Sequence, residues 1–411
     1  MNKVNKFGDY CIILYIFALL VCRDMPVLSG FTVSTIACPI MLCHLMINYN
    51  RVHEPNIRST SRWYLIYMMW FLFAGLVNGD FVKMSGSISL VINYLNCILV
   101  GVLISFLINK TKMFGNILHL LVCVIVFNIV ITILQFLNHE VGWSIWTALN
   151  PNINEIIEES MMQATQDSEQ ILGFNFCPGL FQSAVSNGYF MASFGLLPLV
   201  LASKKEFTLK RILMYSMYLL SLATLLIIQQ RAAFYMFLIL SVIILLATRK
   251  SQKGFIFILF FVIISFSIAG EITLDLGRIN ETSFKEDSRY DLFSEALNYI
   301  SSNIMFGGRA GFLAHAGKSA HNFMLNALVY SGLIGTIILI LIAGKMILQS
   351  IRSIVSDNVS KSYSLFFACA LISYISISLF HNESLATGTP VLFILYGLLI
   401  VSENTNFQSK T

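Results

Sequence analysis

The chain has 411 residues, 57% of them hydrophobic and only 11% charged, with a formal net charge of +5 and a mean hydropathy of +0.76. Soluble domains carry roughly 25% charged residues, so this composition excludes a soluble fold, and cations scattered in small groups argue against nucleic-acid binding. The eight cysteines sit mostly in or beside apolar runs, with Cys177 alone in a polar loop; that excludes a disulfide scaffold, and no zinc-ligand spacing occurs.

Lys3 and Lys6 precede the apolar run Tyr10–Cys22. No small-residue cleavage site follows and further apolar runs continue at once, so the segment reads as a retained first helix. Stretches suited to crossing about 30 Å of hydrocarbon recur at 8–22, 27–48, 63–78, 87–108, 113–137, 186–202, 212–228, 232–248, 254–270, 321–344, 362–380 and 388–402. The expected fold is all-α: a polytopic membrane protein with about 12 transmembrane helices, forming one integral membrane domain over 1–411.

Basic residues orient it. With the N-terminus inside, only Arg23, Lys83, Arg231, Arg278, Lys285, Arg289, Arg309 and Lys318 of the 26 Lys and Arg fall outside. Both termini are therefore expected on the cytoplasmic side. Two outer loops are long. Residues 138–185 hold Glu140, Glu155, Glu158, Glu159, Asp167 and Glu169 without a single Lys or Arg, and read mainly as a solvated acidic face. Residues 271–320 hold five of the outer cations.

Gln229-Gln230-Arg231 interrupts an apolar stretch of 37 residues from Ile212 to Thr248. A helical hairpin with its tip at Gln230–Arg231 is the economical reading. An arginine on the outer side has two explanations, snorkelling to headgroups or holding an anionic ligand. Further on, Leu292, Phe293, Ala296, Leu297 and Ile300 are spaced for one face of a short amphipathic helix on the membrane surface, with Arg289 in its first turn. Gly307-Gly308 permits a tight bend before Arg309. His321-Asn322 opens the tenth run at the water–lipid boundary, where a neutral histidine can accept a proton. His315 reads as a loop residue. In the short first outer loop, Arg23-Asp24 offers Asp24 as a rival base, cramped by Pro26.

The run Ala320–Leu325 continued by Gly332-Leu333-Ile334-Gly335 resembles the C-terminal motif of the O-antigen polymerase and O-antigen ligase superfamily. Arg289 with its helix, Ser302–Gly308, Arg231 at a span end, and Pro178-Gly179-Leu180-Phe181 followed by Asn187-Gly188-Tyr189-Phe190 are similar to that family too. The likeness covers roughly 175–345, and Gln229-Gln230 departs from the small polar residue the family often has before its arginine. The resemblance implies a GT-C-like membrane glycosyltransferase of the bacterial inner membrane. It would join undecaprenyl-diphosphate-linked oligosaccharide repeat units at the periplasmic face by inverting, metal-independent transfer. Under it, Arg231, Arg289 and Arg309 bind the diphosphate, with Lys318 secondary, and His321 is the general base. Asn322 orients that base, and Asp24 is the alternative. No cofactor and no metal is implied, in keeping with outer loops that lack a D-x-D motif. The implied partners are the lipid-linked oligosaccharide, membrane lipid and a membrane protein regulating chain length; nucleic acid is not among them. A ligase moving the finished glycan to lipid A-core, and a polysaccharide flippase, are the competing functions. Asn322–Asn326 with Val329–Gly332 looks more like polymerases.

Overall fold

Apolar backbone in a lipid environment has to satisfy its N–H and C=O groups internally, and a helix does so within one segment. The structure, a computed structural model, describes residues 3–23, 25–28, 31–48, 54–83, 86–150, 177–203, 209–228, 230–248, 288–317, 319–320, 322–355, 362–379, 381 and 383–405. Its helices are α1 Lys3–Val21, α2 Val33–Ile47, α3 Pro55–Asn78, α4 Asp80–Lys83, α5 Gly86–Ser105 and α6 Thr111–Phe136. These are followed by α7 Glu140–Leu149, α8 Ala184–Phe194, α9 Leu197–Ser203, α10 Leu209–Ile228 and α11 Arg231–Thr248. The last five are α12 Ser288–Ser302, α13 Arg309–Ala316, α14 Phe323–Val355, α15 Ser362–Ser378 and α16 Pro390–Asn404.

Five helical stretches are long and apolar enough to cross a membrane: Ile88–Ser105, Thr111–Phe136, Ala184–Ser203, Leu209–Ile228 and Phe323–Val355. α1, α2, α11, α15 and α16 carry shorter apolar segments. The chain is thus an all-α, membrane-embedded protein. The ninth expected span, 254–270, lies outside the described residues, as do 151–176 of the acidic loop and 271–287 of the basic one. One small departure from all-α is the antiparallel pair Pro26–Leu28 and Phe31–Thr32, so the second helix starts at Val33 rather than near residue 27.

Local chemistry sets the helix ends. The Thr32 hydroxyl caps α2, Pro55 and Pro390 occupy the first turns of α3 and α16, and left-handed Gly79 (φ 67°) closes α3. The hairpin reading of 212–248 holds, since α10 stops at Ile228 and α11 starts at Arg231. α15 and α16 form the centre, buried along nearly their whole length and packed against α5, α14 and α11. Peripheral helices instead expose bulky apolar residues, such as Leu14, Ile47, Leu76 and Leu209, to the surroundings.

Two ends of the bundle are distinguished by their contacts. At one end the Lys110 ammonium meets the buried Asp9 carboxylate at 2.5 Å. There too Lys345 donates to the Asn56 carbonyl, and Glu403 accepts from Gln349 and Ser353. At the other end lie the loops that follow α1, α3, α6, α10 and α15.

The 33 residues of α14 would extend about 50 Å at ~1.5 Å per residue. That exceeds a hydrocarbon core, and the helix runs past residue 344 to include Lys345 and Arg352, which the sequence placed in a loop. It is broken at Gly332 (φ 65°, ψ −169°). The freed groups are taken up by the segment before α13: Leu333 N–H donates to the Ile304 carbonyl and Gly308 N–H to the Val329 carbonyl, both at 2.8 Å. The Trp70 indole donates to the Ser331 carbonyl at 2.7 Å and stacks on Phe306. A Cβ at Gly332 would lie 2.1 Å from the Met305 carbonyl oxygen. Gly332→Ala is expected to destabilise by on the order of 3 kcal/mol, read as a lower Tm in detergent. Lys110→Ala, which strands the Asp9 carboxylate, is expected to cost about 3 kcal/mol; a Tm equal to wild type contradicts either assignment.

Candidate functional site

Two non-helical segments enter the bundle at the end opposite the Asp9–Lys110 pair, and both are held by side chains from neighbouring helices. The first is 177–183. Left-handed Gly179 (φ 61°) turns the chain where a Cβ would sit 2.2 Å from Asn128 Oδ1. Its N–H donates to Gln135 Oε1 at 2.8 Å, while Gln135 Nε2 donates back to the Gly179 carbonyl at 3.0 Å. Leu180 N–H donates to Asn128 Oδ1, and Asn187 Nδ2 donates to the Cys177 carbonyl at 2.9 Å and to Thr132 Oγ1 at 3.0 Å. The Trp146 indole donates to the Phe181 carbonyl at 2.7 Å. Asn128, Thr132 and Asn187 are fully buried. Ser183 then caps α8.

The second segment joins α15 to α16. Tyr64 and Tyr94, both buried, donate to the carbonyls of Leu385 and Ala386 at 2.7 and 2.6 Å, pinning the 3-10 turn Leu385–Thr387. Ser384 and Thr387 close a capping box around that turn, and Gly388 (φ 69°) leaves it against Asn93 and Tyr94. At its start the Leu379 carbonyl accepts from Asn322 Nδ2 at 2.6 Å. His381 is 6% exposed, with its ring 5.9 Å from that of Tyr189.

These two segments face one another across a polar crevice. Arg23 from the α1 end, Asn150 from the end of α7, Gln182, Ser186, Tyr374 and Glu383 line it together with Phe181 and Phe190. Glu383 is half-buried. One of its oxygens accepts from the Ser186 hydroxyl and the other from the Tyr374 phenol. Such a carboxylate acts as an acceptor only, and two donors leave part of its capacity open. A second, shallower polar groove is formed by Ser294, Glu295, Asn298, Tyr299 and His315 on α12 and α13. Burial and the Asp80 carboxylate push the Tyr299 phenol above its usual range, so it stays protonated and donates to the Gly308 carbonyl at 2.8 Å.

Among the residues expected from sequence, Arg231 opens α11 as an exposed side chain. Its neighbour Gln230 packs on Gly188 of α8, where a Cβ would come within 3.0 Å. The hairpin tip therefore meets α8 two residues from Ser186, at the crevice end. Arg309 opens α13 and is partly buried, its guanidinium 5.3 Å from the Tyr330 ring centre beside the α14 break. Asn322 caps α14, accepting from Met324 and Leu325 N–H at 2.8 and 3.1 Å, in addition to its bond to Leu379. That makes it a tether between α14 and the second segment. Arg289 falls in the first turn of α12, with its side chain outside the described residues; Asp24, Lys318 and His321 lie wholly outside them.

The amphipathic helix forms as expected over Ser288–Ser302, with Leu292, Ala296 and Ile300 buried on α14. Leu297, assigned to that face, is instead 56% exposed, because a 3.6-residue period sets it about a third of a turn off the Leu292–Ala296–Ile300 stripe. His315 lies in the last turn of α13, not in a loop, and its Nε2 is 3.2 Å from Glu295. The sequence reading missed Ser186, Tyr374, His381 and Glu383, and it treated Arg23 only as a neighbour of Asp24. A signal was present: His381 and Glu383 sit in a short link between two apolar runs, on the same outer side as the short link that holds Arg23.

No protein-family model matches the chain, and no curated protein matches it. Asn187→Ala removes the shared partner of Asn128, Thr132 and Cys177 and is expected to cost about 2–4 kcal/mol. Cys177, 1% exposed, should then react with maleimide where the wild type does not, as mapped by mass spectrometry. An unreactive Cys177 in the variant contradicts the anchoring role.

Proposed function

We propose that the chain is a membrane glycosyltransferase, an O-antigen or capsular polysaccharide polymerase that joins undecaprenyl-diphosphate-linked repeat units. The observation that carries this reading is the crevice itself: two irregular segments, each held by side chains of neighbouring helices, meet at a site lined by Arg23, Gln182, Ser186, Tyr374 and Glu383. Non-helical backbone at membrane depth is tolerated where it is buried in protein or lines a wet cavity, and ionisable groups there mark function. Further support comes from the segments that resemble the polymerase and ligase superfamily. Pro178–Phe181, Asn187–Phe190, Ser302–Gly308 and Gly332 are the ones that shape the irregular backbone.

In this reading the crevice end faces the periplasm of a bacterial inner membrane and the Asp9–Lys110 end the cytoplasm, as the concentration of cations at the latter favours. The twelve-span count belongs to the same proposal. A diphosphate leaving group needs charge neutralisation, which Arg231 and Arg289 supply as bidentate donors, with Arg309 as a further cation. His321 takes the acceptor hydroxyl proton while that oxygen bonds to the anomeric carbon. The carbon–oxygen bond to the diphosphate breaks with inversion, and its electron pair leaves on the phosphate.

Deletion of the gene followed by a gel of surface polysaccharide tests the reading. A polymerase deletion leaves core bearing one repeat unit. Bare core with long lipid-linked polymer indicates a ligase instead, and an unchanged ladder contradicts both. In the deletion strain, His321→Ala is expected to restore polymer at a rate lowered by about 10²–10⁴-fold, the usual worth of a general base. Arg231→Lys, which keeps the charge but loses the fork, should also fall short of wild type. Full-length ladders at wild-type rate from both variants rule out the assigned roles.

A further inference from the structure

We propose that the crevice between the 177–183 and 379–389 segments is a saccharide-binding subsite, in which Glu383 and Arg23 hold hydroxyls of a neutral sugar ring. The proposal rests on the glycosyltransferase reading and names the part of the site that the diphosphate residues leave unassigned.

Glu383 is the centre of the case. A carboxylate in a membrane-embedded bundle is costly, and structural duty alone explains it poorly. The 379–389 segment is already fixed by Tyr64, Tyr94, Asn322 and its own capping box, none of which involves Glu383. The Ser186 and Tyr374 hydroxyls each donate to one carboxylate oxygen, which sets its orientation. An ionised carboxylate has about four lone-pair sites, so two stay available for ligand donors.

The surrounding chemistry selects the ligand class. Sugar hydroxyls donate and accept at once, and the crevice offers a carboxylate to accept, a guanidinium to donate, and the Gln182 and Asn150 amides that do both. One cation and one anion lining the same crevice give little net charge, which suits a neutral ring better than a uronic acid or a free phosphate. Phe181 and Phe190, with ring centres 4.8 Å apart, supply the apolar wall on which the C–H face of a pyranose rests. Position also fits. Gln230 at the Arg231 hairpin tip packs on Gly188, two residues beyond Ser186, so a bound saccharide would lie next to the leaving-group site.

The probe is the oligosaccharide released by mild acid from the lipid-linked units that the deletion strain accumulates. Binding is measured by calorimetry on the purified full chain in nanodiscs. The wild type should bind saturably. Glu383→Gln, which keeps the shape and removes the charge, should weaken binding by at least about tenfold, the loss of a charge-assisted hydrogen bond, at an unchanged Tm. Should that variant lower Tm, Gln182→Ala decides, because Gln182 is an exposed rim side chain: weaker binding supports the subsite and unchanged binding overturns it. Equal affinity for wild type and Glu383→Gln at equal Tm overturns the subsite and leaves the polymerase reading standing. A deletion strain whose surface-polysaccharide ladder is unchanged sinks the polymerase reading first, and the subsite with it.

Discussion

Backbone that leaves the helical path inside an apolar bundle must find its hydrogen bonds in the protein, since each stranded group costs several kcal/mol. This constraint organises the chain. At the α14 break, the groups released by Gly332 are taken by Ile304, Gly308 and Trp70. In 177–183 they are taken by Asn128, Gln135, Trp146 and Asn187. In 379–389 Tyr64 and Tyr94 serve. Each irregular segment has its own set of polar side chains projecting from otherwise apolar helices.

The same constraint separates positioning from chemistry. Residues committed to holding backbone have their side-chain atoms engaged, as buried Asn187 and the α14 cap Asn322 do. Glu383 differs: its segment is held without it, its carboxylate is only half-buried, and it faces Arg23 across the crevice. At the opposite end, ion pairs and hydrogen bonds such as Asp9–Lys110 and Glu403–Ser353 join helix to helix, which suits an end whose task is to keep the bundle closed. Function is therefore expected where the backbone is irregular and a carboxylate keeps acceptor capacity its segment does not need.

Hydropathy made the helices legible, because a residue's preference for lipid is a local property. The break at Gln229–Gln230, the glycine pair at 307–308 and the helix after Ser288 were readable for the same reason. What was not legible depends on contacts between distant segments. Nothing near Gln135 reveals that its amide serves Gly179, 44 residues away. Nothing near Tyr94 reveals that it holds the Ala386 carbonyl. Arg23 and Glu383 lie in two short links; the first is read only for Asp24, cramped by Pro26, and the second carries no reading at all. Their importance comes from α8 and α15, which bring Ser186 and Tyr374 onto the Glu383 carboxylate in the crevice that Arg23 also lines. Leu297 was misplaced because the apolar stripe it seemed to join is only as wide as one i, i+4 row, Leu292–Ala296–Ile300, against α14.

The most direct measurement is amide hydrogen exchange of the full chain in nanodiscs, read over peptides covering 177–183 and 384–389. The account predicts helix-like protection in both, because the amides of Gly179, Leu180, Ser384 and Thr389 are bonded to Gln135, Asn128, Thr387 and the Ser384 carbonyl. Exchange at the rate of an open surface loop in either segment would mean that the backbone there is unsupported, and would contradict the crevice those two segments are held to form.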